Sequence, residues 1–148
     1  MRHLLAALIV VLVAMACADA RADAVDFRGK YIGYGYVYGQ DGTGVRTDFR
    51  VSVEQGDGGT FVIELNYLDG KAAKFTKAAR GSDYALMIDE SVKTGSPKAA
   101  VAEGKLYTAD GAAVSGSIVV RPADDENAKP LSTIRFFVSR LKESPSSF

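Results

Sequence analysis

The chain of 148 residues has one cysteine, one histidine and no tryptophan. Cys17 and His3 both fall in the first two dozen positions, so the rest of the chain has neither residue type. A thiol nucleophile is thereby excluded from the body of the protein. A histidine acid or base, the usual proton shuttle near neutral pH, is excluded with it. Zinc sites of the Cys and His type and histidine-ligated haem are excluded as well. No internal disulfide can form, and stability must come from packing. Charge of one sign is also lacking. Lysine plus arginine and aspartate plus glutamate number 18 each, interspersed along the chain, which leaves no electrostatic case for nucleic acid. The expectation is a protein that is not an enzyme and uses no cofactor and no metal.

The one long apolar run is residues 4–13, LLAALIVVLV, behind the positive start Arg2-His3 and ahead of the small-residue stretch AMACADARADA. A charged start, a short apolar core and an Ala-x-Ala site make up a secretory signal peptide. A spanning helix would need roughly 20 apolar residues, and Asp19, Arg21 and Asp23 close this run off. Cleavage is expected after Ala20 or Ala24. Ala14-Met15-Ala16-Cys17 is similar to a bacterial lipobox, which implies a lipid anchor at Cys17. That family favours Leu where this chain has Ala14, and ordinary cleavage is the preferred reading. The expected division is a cleavable signal peptide at 1–24, one β-barrel domain at 25–142 and a flexible C-terminal tail at 143–148, with the product periplasmic or extracellular.

What is plentiful is alternation. Val45, Thr47, Phe49, Val51 and Val53 face one way, and Arg46, Asp48, Arg50, Ser52 and Glu54 the other. Successive side chains of a strand point to opposite faces, so this is a half-buried strand of an antiparallel sheet. Phe61, Ile63, Leu65 and Tyr67 repeat the pattern, as do Val114, Gly116, Ile118 and Val120, and Ile134, Phe136 and Val138. Glycine-bearing turns punctuate the runs, Asp69-Gly70 and Asp110-Gly111 among them. The spacing predicts strands at 30–38, 45–54, 61–68, 72–79, 84–88, 101–108, 112–121 and 132–141. Longer connections are expected at 89–100 and 122–130.

An antiparallel meander of about eight strands removes its edges by closing into an up-and-down barrel. A two-sheet sandwich has the same alternation and remains the alternative. Gly29-Lys30-Tyr31 resembles the Gly-x-Trp that opens the barrel in the calycin group (lipocalin and avidin type), with Tyr31 where the family has Trp. In lipocalins an arginine from the last strand covers that ring. The resemblance therefore implies such a part for Arg135 or Arg140, and a barrel with a cavity.

On the barrel reading, an interior ligand would be lined by Tyr31, Gly33, Gly35, Val37, Phe49, Val51, Ile63, Leu65, Val114, Ile118, Phe136 and Val138. Gly33 and Gly35 mark either room for a ligand or a sharp bend of the strand. Alternation puts Tyr34, Tyr36 and Tyr38 together on one face without saying which. Other motifs carry no chemistry. Ser139-x-x-Lys142 and Lys93-Thr94-Gly95 are similar to penicillin-binding motifs, but residues three apart on a strand face opposite ways. Asp124-Asp125-Glu126 lacks the spacing of a calcium loop. Phe148 resembles the terminal aromatic of outer-membrane barrels, yet Pro145 would break the last strand, and no membrane span is expected. The expected function is a soluble exported binding protein carrying a small apolar ligand. The alternative is an interaction module, an inhibitor or envelope scaffold with a filled core and a protein partner.

Overall fold

A computed structural model describes residues 23–67, 69–95 and 97–142. Most of the signal segment, with His3 and Cys17, and the tail at 143–148 lie outside the described residues. Eight strands follow in chain order: β1 (Gly29–Tyr38), β2 (Gly44–Gln55), β3 (Phe61–Tyr67), β4 (Ala72–Ser82), β5 (Ala85–Val92), β6 (Ala100–Tyr107), β7 (Ala113–Pro122) and β8 (Ser132–Arg140). Each pairs antiparallel with the next, and β1 pairs with β8, so the sheet closes into an up-and-down barrel. The sandwich alternative is set aside by that last pairing. Among the described residues the only helical piece is a 3-10 turn at Asp57–Gly59.

Local chemistry makes the hairpins. Asp41, Asp69 and Asp110 each accept, through Oδ1, the backbone N–H two residues on, at 2.9, 3.0 and 2.9 Å. This is the turn that aspartate side chains favour. Gly70, beside Asp69, takes a φ of +89°, which a side chain would resist.

The pleat then sorts the side chains. Tyr31, Gly33, Gly35 and Val37 sit opposite Val51, Phe49, Thr47 and Val45 of β2, and the last three also face Val138, Phe136 and Ile134 of β8. This row points inward, while Tyr34 and Tyr36 stand on the outer surface. A Cβ at Gly33 would lie 2.7 Å from the Cα of Val138, and one at Gly35 2.6 Å from the Cα of Phe136. The two glycines therefore let β8 curve tightly over β1.

One strand differs from the spacing-based boundaries in a way that matters. β5 runs to Val92 rather than stopping at Ile88, and the expected 89–100 loop shrinks to 93–99. The inward row of β5 is Leu86, Ile88, Glu90 and Val92. The carboxylate in that row hides the period.

The barrel has two unlike ends. At the end where β1 starts, the chain at 25–28 folds across the opening, the Val25 N–H donating to the Asp83 carbonyl at 3.0 Å. Phe27 and Tyr31 are buried there, and the Arg80 guanidinium lies over Phe27 and Phe61. Arg140, rather than Arg135, sits over the Tyr31 ring, 4.9 Å from its centre. Its guanidinium donates to the carbonyls of Asp26, Arg28 and Gly111 at 2.7, 2.6 and 2.9 Å, and to the Tyr31 hydroxyl at 2.7 Å. That hydroxyl in turn donates to the Phe27 carbonyl at 2.6 Å. Burial raises the Tyr31 phenol pKa above its ordinary value, against the opposing pull of Arg140. This end is sealed.

Candidate functional site: the open mouth of the barrel

At the opposite end a cavity of about 930 Å³ enters the barrel. Its apolar wall comes from Tyr67 on β3, Ala73 and Phe75 on β4, Val92 on β5, Val120 on β7 and Ile134 on β8. Each belongs to the inward row of its strand, where the strand reaches the mouth. Ala73 is the small member that leaves the space. Below the mouth the Phe49 ring lies 5.2 Å from Tyr67 and 5.7 Å from Phe136, tilted against both, so packed aromatic rings separate the cavity from the filled interior. Burial raises the Tyr67 phenol pKa, and the Asp69 carboxylate pushes it the same way. Polar groups complete the lining, with Lys74, Thr76, Ser91, Lys93, Thr94 and Ser132 about the opening and Glu90 set into the wall between β4 and β5. Apolar walls under a few polar groups are the usual make-up of a small-molecule site.

The cavity straddles a weak seam. β4 and β5 share only the pairs Ala79↔Met87, Arg80↔Leu86 and Ser82↔Ala85, all toward the sealed end. Nearer the mouth, β4 carries a bulge against β3, where Phe61 faces Ala78 but Ile63 faces Phe75. A bulge leaves ladder donors unpaired. Here the successive N–H groups of Thr76 and Lys77 turn toward β5, and the Glu90 carboxylate accepts both. Thr76 donates to its two oxygens at 3.0 and 3.1 Å, and Lys77 to one of them at 2.7 Å. A single side chain thus replaces the missing ladder, through bonds that charge makes stronger than neutral ones.

The twelve residues expected to line a ligand all point inward. Tyr31, Phe49, Val51, Ile63, Leu65, Val114, Ile118, Phe136 and Val138 are buried in one continuous core, with Val37 packed against it. None of the twelve lines the mouth cavity. Its wall is made instead by the mouth-side neighbours of these residues, two positions along the same rows. Val120 follows Ile118 and Tyr67 follows Leu65, while Ile134 precedes Phe136. Ala73, Phe75 and Val92 lie on strands whose alternation is broken by lysines or by Glu90, so their inward rows had no clear period to follow.

No protein-family model matches the chain, and no curated protein matches it either.

Proposed function

We propose that the protein is an exported, non-catalytic carrier that holds a small apolar ligand in the open mouth of its barrel. The observation that carries this reading is the cavity walled by Phe75, Val92, Val120 and Ile134 at the end opposite the Arg140 latch. Its volume lies within the range of roughly 300–1,000 Å³ typical of ligand pockets. An eight-stranded barrel is about wide enough either to be filled by side chains or to take one small ligand, and this chain divides the two along its axis. The calycin resemblance gains support from Arg140 over Tyr31 next to Gly29, a last-strand arginine on a first-strand ring. Export, and release as a free periplasmic or extracellular protein, rest on the signal pattern at 1–24.

The test is native mass spectrometry of the protein purified without detergent, joined to titration with the fluorescent apolar probe N-phenyl-1-naphthylamine. Either a co-purified mass lost on denaturation or saturable probe binding is expected. Ala73→Phe, which fills the cavity from its wall, should weaken probe binding by about tenfold or more, the equivalent of roughly 1.4 kcal/mol. A bare protein that binds no probe would overturn the carrier reading, and so would probe binding that Ala73→Phe leaves unchanged.

A further inference from the structure

The outer surface carries a second hollow that shares no residue with the mouth. It is a shallow trough of about 480 Å³ over β7, with Ser115, Gly116 and Ser117 as its floor. The strand register builds its sides in two rows. In one row Phe137 of β8, Ser115 of β7 and Tyr107 of β6 stand side by side, and in the next Arg135, Ser117 and Lys105 do the same. Two aromatic rings therefore flank one serine, and two cations flank the next. The backbones of β8 and β6, which carry the rings, lie about 9–10 Å apart, two strand spacings, and the rows about 7 Å apart, two residues along a strand.

The rings are held open to solvent. Phe137 is 53% exposed and Tyr107 46%, while Tyr34 and Tyr36 of β1 extend the β8 side of the trough at 48% and 42%. Surface aromatics gathered in this way mark binding sites, whereas scattered ones do not. The charges are unbalanced where it matters. Arg135 and Lys105 make no ion pair among the described residues, and no carboxylate lines the trough. Of the carboxylates near this face, Asp48 pairs with Arg46 at 3.6 Å and Glu103 with Arg121 at 3.4 Å, and Asp89 stands one strand beyond Glu103, outside the trough. The trough thus offers aromatic plates, hydroxyls from serine and tyrosine, and two cations with no ion-pair partner among the described residues, Lys105 resting over the Tyr107 ring at 5.6 Å.

From this geometry we infer that the β6–β8 face binds an acidic glycan. A sugar ring stacks over Ser115 between Phe137 and Tyr107, and a carboxylate on the same or the adjoining unit meets Arg135 and Lys105. A lipid surface fits less well, because serines and cations interrupt the aromatic sides. The inference stands independently of the mouth cavity.

The experiment is an amide NMR titration of the protein with three uronate-bearing probes and their controls. The probes are a hyaluronan tetramer, tetragalacturonate and a heparosan tetramer. The controls are the methyl esters of each probe and anionic phosphatidylglycerol vesicles. Shifts are expected at Lys105, Tyr107, Ser115, Ser117, Arg135 and Phe137, with at least one acid binding about tenfold more tightly than its ester. Phe137→Ala, at an exposed position, should weaken binding by roughly tenfold while leaving the melting temperature in place. The double variant Lys105→Gln with Arg135→Gln should erase the preference for acid over ester. The inference is overturned if no acid shifts these amides at millimolar concentration, or if shifts centre elsewhere. Binding only to vesicles, or affinity indifferent to Phe137→Ala, would overturn it too.

Discussion

Arg140 commits its whole guanidinium to the sealed end, with donors to three carbonyls and one hydroxyl and its plane over Tyr31. A planar fork can meet that many acceptors at once, whereas a lysine ammonium on a flexible stem cannot. Arg140→Lys should therefore cost about 2 kcal/mol or more, since each bond to a charged group is worth roughly 1.5–3 kcal/mol. Urea unfolding will read it, and a loss below roughly 0.5 kcal/mol, the scatter of ordinary surface changes, would contradict the latch. A resemblance carried by three residues pointed to this pairing but left Arg135 in contention. The difference is one of face: Arg135 pairs with Tyr36 on the outer surface, while Arg140 closes the end of the strand opposite Tyr31. Gly35 shows the same limit. Its presence in a strand announced either room or curvature, and only the position of β8 decides for curvature.

At the scale of elements, the β4–β5 seam is the weak point of the wall. Glu90→Ala leaves the Thr76 and Lys77 N–H groups without acceptors, and amide exchange at both should accelerate while exchange in β7 stays unchanged. Glu90→Gln keeps one oxygen and should fall between the two. Equal protection of Thr76 and Lys77 in Glu90→Ala and the parent would show that the carboxylate does not hold the seam. Legibility differed among strands for a physical reason. β2, β7 and β8 keep one face in the core and one in water over their middle residues, so their periods are clean, even though Val45 at the mouth end of β2 is 62% exposed. In β4 and the far half of β5 the period is broken, by the bulge between Phe75 and Ala78 and by the inward carboxylate of Glu90. Ala73, Phe75 and Val92 of the mouth wall lie on those two strands; Tyr67, Val120 and Ile134 lie on regular rows, one inward position beyond the residues expected to line a ligand.

Over the whole molecule, the two tyrosines with raised pKa values tie stability to pH in the alkaline range. Tyr31 and Tyr67 both hold their protons more tightly in the folded chain than in the unfolded one, chiefly because burial disfavours the phenolate. Their contribution is complete below the ordinary tyrosine value of about 10 and is lost as pH rises through the raised values. Stability should be level near neutrality and fall above about pH 10, read by urea midpoints together with phenolate absorbance. Tyr67→Phe should shallow that fall. An unchanged slope would mean that Tyr67 ionises as freely in the folded chain as in the unfolded one. Asp26 acts oppositely and weakly: its partner Arg28 lowers its pKa, so its contribution is lost only as pH falls through that lowered value.

The pairing of β1 with β8 has a consequence for the order of events in folding. Contacts such as Tyr31 with Arg140 join positions more than a hundred residues apart, and closing loops of that length slows folding toward the millisecond-to-second range of high-contact-order β proteins. Until the last strand arrives, β1 offers a bare row of N–H and C=O groups, which in a growing sheet invites a neighbouring chain. That edge is rich in tyrosine and glycine, with few charges to discourage such pairing. The chain is therefore most vulnerable to aggregation when seven of its strands are formed and the eighth is not. A chain shortened before Ser132 would be held at that stage permanently.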